Sequence, residues 1–224
     1  MPHPTRSLRG LAATALLLLV AAPSAAAQGL GGGPAPRGEL TPFGGYQWGG
    51  SFDTDASSQI AAGKLIEQGA FSWGAIFSYF VSPSSAFEVF YLRQDTNVEF
   101  DPHQGETRNV GDFANNYIQV GGRRDFAGAG ALVPFVSLSL GVNGLDPKAS
   151  DIDSSWRFAW TLGGGARYMM PNQRVGLRLD VRWMVTPVPS GDYGSWCTVW
   201  GCYATEGTEW LNQGNASAGL MVAF

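Results

Sequence analysis

From residue 39 onward, large apolar side chains fall on every second position, with small or polar ones between them. That two-residue period belongs to a β-strand with one apolar face. Along 175–186, one face carries Val175, Leu177, Leu179, Val181, Trp183 and Val185, and the other Gly176, Arg178, Asp180, Arg182, Met184 and Thr186. Residues 154–169 repeat it, with Trp156, Phe158, Trp160, Leu162 and Tyr168 against Arg157, Thr161, Gly163, Gly165 and Arg167. The last residues do so again, Leu220, Val222 and Phe224 against Gly219, Met221 and Ala223. Clusters of Gly, Pro, Asn and Asp punctuate the runs. The pattern predicts eight strands at 39–52, 69–81, 86–96, 113–126, 132–143, 154–169, 175–186 and 210–224.

The predicted connections alternate in length. Those after the second, fourth and sixth strands are brief, and the others are longer and polar. One end therefore has tight turns and the other has loops, as in outer-membrane barrels. A soluble barrel shares the alternation but hides its apolar face inside. Two features favour apolar side out. Trp156 and Tyr168, and Phe71 and Tyr79, stand toward the two ends of their strands, as interfacial aromatic girdles do. Glycine crowds the opposite face, which suits a narrow lumen. The expected fold is all-β, an eight-stranded antiparallel up-and-down transmembrane β-barrel.

Charge then orients the side chains. A cationic side chain facing lipid at the bilayer midplane costs about 2–4 kcal/mol, so Arg157, Arg178 and Arg182 should point into the lumen. A lumen of about eight strands is just wide enough to be filled by side chains, and buried charges need partners. Asp180 lies on the same face between Arg178 and Arg182, with Glu88 and Arg123 as cross-lumen members. Glu88, Arg178, Asp180 and Arg182 are therefore expected to form a charge network that plugs the barrel. Arg123, Arg124, Arg167 and Arg174 cluster near the short turns and predict a basic periplasmic end.

Composition fits this picture. Only 14% of the 224 residues are charged, against about 25% in an ordinary soluble domain, because much of the wall would face lipid. With 8 Trp, 7 Tyr and 13 Phe the chain is not disordered, and a net charge of −4 argues against nucleic acid as a partner. The N-terminus departs from the alternation. Arg6 and Arg9, the apolar run 11–22, Pro23 and the alanines at 25–27 form a secretory signal peptide over 1–27, since about 12 apolar residues are too few to span a bilayer. A Gly- and Pro-rich lead-in, 28–38, precedes the barrel at 39–224. Export to an oxidising compartment makes Cys197 and Cys202, the only cysteines, a local disulfide in the last long loop, and His103 alone is too little to build a metal site with them.

A resemblance extends these readings. The stretches 87–96, 157–168 and 175–182, the Cys-x4-Cys pair and the final strand ending in Phe224 resemble the proteobacterial outer-membrane β-barrel domain proteins. That group is similar to the small eight-stranded barrels typified by the transmembrane domain of outer membrane protein A. The resemblance implies this fold and an outer-membrane location; lipid and lipopolysaccharide are the expected surroundings, and a monomer is expected. Phe224 resembles the C-terminal signal that the barrel-assembly machinery reads. It carries over no catalytic residue and no cofactor. With the last strand reaching residue 224, no wall-binding domain is expected.

Signals for chemistry are sparse. His103, with Asp101 and Glu106 near it, is the candidate base of a lipid A-modifying enzyme, but no partner serine is marked, so a non-enzyme is expected. The Gly163-Gly164-Gly165 run lies mid-strand, where packing explains it. The long loops are acidic. Asp53 with Asp55, and Asp151 with Asp153, are spaced to offer oxygens to calcium, although a solvated acidic surface is the simpler reading. The expected function is structural or surface interaction through loops bearing Trp196, Trp200 and Tyr203. A narrow channel for small hydrophobic molecules is the alternative, kept open by Ile76, Phe135 and Met184.

Overall fold

The computed structural model describes residues 37–54, 63–102, 106–128, 131–148, 155–171, 174–188, 196–198, 201–203 and 209–224. Within them lie twelve strands: β1 (Gly38–Trp48), β2 (Ser51–Thr54), β3 (Gly63–Glu67), β4 (Ala70–Ser82), β5 (Ser85–Pro102), β6 (Arg108–Asp125), β7 (Leu132–Pro147), β8 (Ser155–Met169), β9 (Val175–Val188), β10 (Trp196–Thr198), β11 (Gly201–Tyr203) and β12 (Glu209–Ala223). Eight of them form the wall. β1 pairs with β4, the strands β4 to β9 pair in sequence, β9 pairs with β12, and β12 returns to β1, all antiparallel. Closure leaves no free edge to the eight-stranded ring. At the seam the Phe224 N–H donates to the Gly38 carbonyl at 2.9 Å, and the Phe224 carbonyl accepts from the N–H groups of Gly38 and Arg37.

The alternation predicted from the sequence decides which side chains go where. Phe71, Trp73, Leu162, Leu179, Val181, Trp183 and Leu220 are exposed on the outer wall, whereas Arg178, Asp180, Arg182, Thr161, Gln213 and Met221 are buried within. Tight connections at 83–84, 126–131 and 170–174 mark the turn end, and the longer connections gather at the opposite, loop end.

Two features differ from the sequence reading, and one agrees with it. The first strand stops at Trp48 rather than running to 52, because Gly49 and Gly50 take φ of +83° and +115° and turn the chain. Beyond them β2 pairs with β3, and β3 pairs with the outer part of β5, placing Lys64 opposite Asp101. Second, the strands expected at 86–96 and 113–126 extend to form β5 and β6, paired as far as Phe100 opposite Arg108 with a register shift between Val98 and Glu99. The outward positions of β5 run Phe87, Val89 and Tyr91, then Arg93, Asp95, Asn97, Glu99 and Asp101, so the apolar half of the signal fades while the ladder continues. Asp101, Asp112 and Asp146, expected in loops, therefore lie on strands. The glycine run of β8 is set by packing, as its mid-strand place implied. A Cβ at Gly163 would lie 2.7 Å from Ser137 Oγ, and one at Gly165 would lie 3.0 Å from Phe135 Cζ.

Candidate functional site: the barrel lumen

The lumen is built in three layers. Nearest the turn end, four guanidinium groups meet four carboxylates. Arg178 of β9 donates through Nη1 to Glu88 Oε1 of β5 at 2.6 Å and through Nε to Asp180 Oδ2 at 2.8 Å. Arg182 donates to Asp180 Oδ1 at 2.8 Å. The four residues singled out in the sequence thus share one connected set. The set is larger than that. Arg123 of β6 reaches Glu88 at 2.9 Å, Asp125 at 2.9 Å and Glu39 of β1 at 3.3 Å. Arg167 of β8 joins Glu39 at 2.8 Å and also pairs with Asp125. Ser78 of β4 donates to Glu88 at 3.0 Å. All eight charged residues are buried.

Arg123 and Arg167 correct the expectation of a basic turn end, while Arg123 takes the cross-lumen place also expected of it. They do not form a basic periplasmic surface with Arg124 and Arg174 but turn inward, because strand parity places them on the lumen face with Asp125 and Gly165. Glu39, Asp125 and Arg167 were missing from the predicted network. The available signal was the Arg-x-Asp spacing, which Arg123 and Asp125 share with Arg178 and Asp180. Aromatic rings cover the guanidinium faces: Phe135 lies 4.6 Å from Arg178, Phe90 4.3 Å from Arg182, and Phe80 5.3 Å from both Arg123 and Arg167.

Above the charges sits an apolar layer of Phe43, Ile76, Phe90, Leu92, Tyr117, Ala159 and Met184. Phe43 and Phe90 stack with centroids 5.8 Å apart and planes within 4°. The lumen is therefore not polar throughout, contrary to the expected polar plug.

The third layer, toward the loop end, is made of amides and hydroxyls. Gln94 donates to the Gln47 carbonyl at 3.3 Å, Asn215 to Ser72 at 2.8 Å, and Asn143 to Thr186 at 3.4 Å. Tyr117 bonds Gln213. Among the described residues one acid enters this layer. Glu67, the last residue of β3, accepts from Gln213 Nε2 at 2.8 Å and from Asn115 Nδ2.

Charged below, apolar in the middle and amide-lined above, inside an eight-stranded wall that is apolar outside, this architecture has a counterpart among known proteins. The family model described as outer membrane protein beta-barrel domain matches residues 12–224. The chain belongs to that family.

This outer-membrane barrel is similar in fold to several solved structures. Neisserial surface protein A gives a TM-score of 0.51 at 17% identity, over 84% of this chain and 97% of that one. OprG from Pseudomonas aeruginosa gives 0.54 at 14% identity, over 85% and 97%. AlkL, solved in DMPC lipid bilayers, gives 0.54 at 15% identity, over 88% and 94%. No curated protein matches the chain. The protein is located in the outer membrane, with its exposed apolar wall against lipid.

Other expected site residues divide between described and undescribed parts. Phe224 is exposed on the outer wall at the seam, its ring 6.5 Å from that of Phe77. Cys197 of β10 stands directly opposite Cys202 of β11 in an antiparallel ladder, and their side chains lie outside the described residues. His103, Asp55, Asp151, Asp153 and Trp200 also lie outside them. Among the described residues, no group of three or more His, Cys, Asp and Glu side chains is arranged to hold a metal ion.

Proposed function

We propose that this outer-membrane barrel is a sealed structural element that meets its surroundings through its loop end and does not conduct ions. The observation that carries this reading is the balance of the charged layer. Four guanidinium groups and four carboxylates neutralise one another across β1, β5, β6, β8 and β9. A permeating ion would have to separate pairs that have little water to replace them. In planar bilayers the wild-type protein is expected to be silent, and Glu88→Ala with Arg178→Ala to open a small conductance. Steady porin-like current through the wild type would overturn the reading.

One observation favours a second reading, a path for small hydrophobic molecules: the apolar layer of Phe43, Ile76, Phe90, Leu92 and Met184. Uptake of a short-chain alkane or ester by cells expressing the barrel would favour that path. Unchanged lipid A mass spectra in cells expressing wild type or His103→Ala would argue against the enzymatic reading.

In the sealed reading, residues 1–27 are removed on export and the barrel-assembly machinery reads Phe224. Lipopolysaccharide and phospholipid surround a monomeric wall. A Cys197–Cys202 disulfide staples the last loop, supported by their opposition across one rung, where Cα atoms in antiparallel pairs stand about 4.5–5.5 Å apart.

A further inference from the structure

Among the described residues Glu67 is the one carboxyl of the amide layer, and it does not come from the wall. It ends β3, beside the loop end of the lumen, and its backbone N–H donates to the Gly50 carbonyl at 2.9 Å. The next residue, Gln68, donates its N–H to the Asn97 carbonyl of β5 at 3.0 Å. The Glu67 side chain then turns inward to Asn115 of β6 and Gln213 of β12, and the residue is only 6% exposed. Gly50 makes the turn possible, since a Cβ there would lie 2.8 Å from Glu67 Oε2 and 2.9 Å from Leu211.

Among the described residues, the surroundings of Glu67 carry almost no charge. Gln94 and Asn143 extend the amide shell, Thr186 of β9 adds a hydroxyl, and Tyr117 of β6 is the titratable neighbour. None of the ion pairs formed among the described residues includes Glu67. Arg157 of β8, opposite Asn143, is half-buried on the inner face toward this end, while Lys64 precedes Glu67 on β3 and Glu99 of β5 accepts from Gln68. A buried carboxylate without a cation is costly, whereas a protonated carboxyl fits an amide shell without charge.

We propose that Glu67 is a proton-dependent latch that holds β3 against the loop end of the lumen. Burial pushes its carboxyl from 4.5 up to about 8, opposed in part by the hydrogen bonds from Asn115 and Gln213. The sign follows from linkage. The seated state holds the proton more tightly than the released state, so seating is strongest below pH 4.5 and weakens as pH rises to about 8. The charged layer at the turn end is untouched by this step, so the latch governs access to the amide layer and not the ion seal.

Amide hydrogen exchange of the full chain in lipid nanodiscs tests it, with rates corrected for their intrinsic pH dependence. The Glu67 and Gln68 N–H groups should lose protection by at least about tenfold between pH 6 and pH 9, because a tenfold change needs only about 1.4 kcal/mol. Glu67→Gln, neutral at every pH and close in shape, should stay protected throughout, and amides of the β7–β8 ladder should not change in either protein. Three results would overturn the latch: pH-independent protection in the wild type, the same loss in Glu67→Gln, or parallel loss in β7–β8.

Discussion

The same local device appears on both sides of the barrel wall. Inside, Arg178 grips Asp180 two residues on, through Nε to Oδ2 at 2.8 Å and Nη2 to Oδ1 at 3.1 Å. Outside, Arg93 grips Asp95 with the same atoms at 3.2 and 2.9 Å. Each pair occupies alternate positions on one face of a strand. The surroundings differ. The inner side chains are 0% and 4% exposed, and the outer ones 31% and 41%. Inside, Arg178 also holds both Glu88 oxygens and lies against Phe135; outside, Asp95 shares Lys148 at 3.2 Å and Arg93 donates to Asn116 at 3.3 Å. Equal geometry therefore carries unequal consequence, because removing one partner leaves an uncompensated charge only where water cannot reach it.

The largest effect is expected from Asp180→Ala. Among the described residues Asp180 is the carboxylate that pairs with Arg182, and it is one of two for Arg178. Losing it should destabilise the barrel by about 3–5 kcal/mol, the usual penalty for breaking a buried pair from one side. Urea unfolding of the lipid-embedded protein measures this directly. A midpoint equal to wild type would remove the distinction between the two sides of the wall.

The inner pair also depends on space made for it. Gly165 stands opposite Asp180, and Gly163 opposite Arg182, in the β8–β9 ladder, whereas Arg93 lies between Trp73 and Asn116. Gly165→Ala should cost about 1–3 kcal/mol, as overpacking does, because its Cβ would meet the Leu179 carbonyl and the Phe135 ring. Ala114, opposite Asp95, already carries a Cβ on the outer pair's ladder. A Gly165→Ala barrel with unaltered unfolding would mean that the β8 glycines serve something other than room for the charges.

How far these two sides could be read from the sequence depends on what each residue faces. Arg178, Asp180 and Arg182 were legible because a strand with leucine and valine on one face leaves its charges a single destination. Glu88 was legible by the same parity. Glu39 and Arg167 are 128 residues apart, and their meeting depends on the stagger of strands around the ring, which no local pattern encodes. Glu67 was illegible for a different reason: it arrives from β3, outside the eight wall strands, and its place depends on the pairing of β3 with β2 and β5. The outer ends of β5 and β6 were missed because the apolar face that announces a lipid-facing strand ends near Tyr91.

The smallest effect is expected where the geometry is repeated in the open. Asp95→Asn removes the charge partner of Arg93 and Lys148, yet both cations remain partly exposed and Arg93 keeps Asn116. An exposed pair of this kind contributes about 0–1 kcal/mol, and salt screens it further. Unfolding of Asp95→Asn should therefore differ from wild type by no more than about 1 kcal/mol at low salt, with the difference shrinking as salt rises. Asp180→Ala should keep its deficit at both salt levels, because its partners lie beyond the reach of the ions. If Asp95→Asn lost as much as Asp180→Ala and did so regardless of salt, the environment of the wall would not be what separates the two pairs, and the shared Arg-x-Asp geometry would have to carry the energy itself.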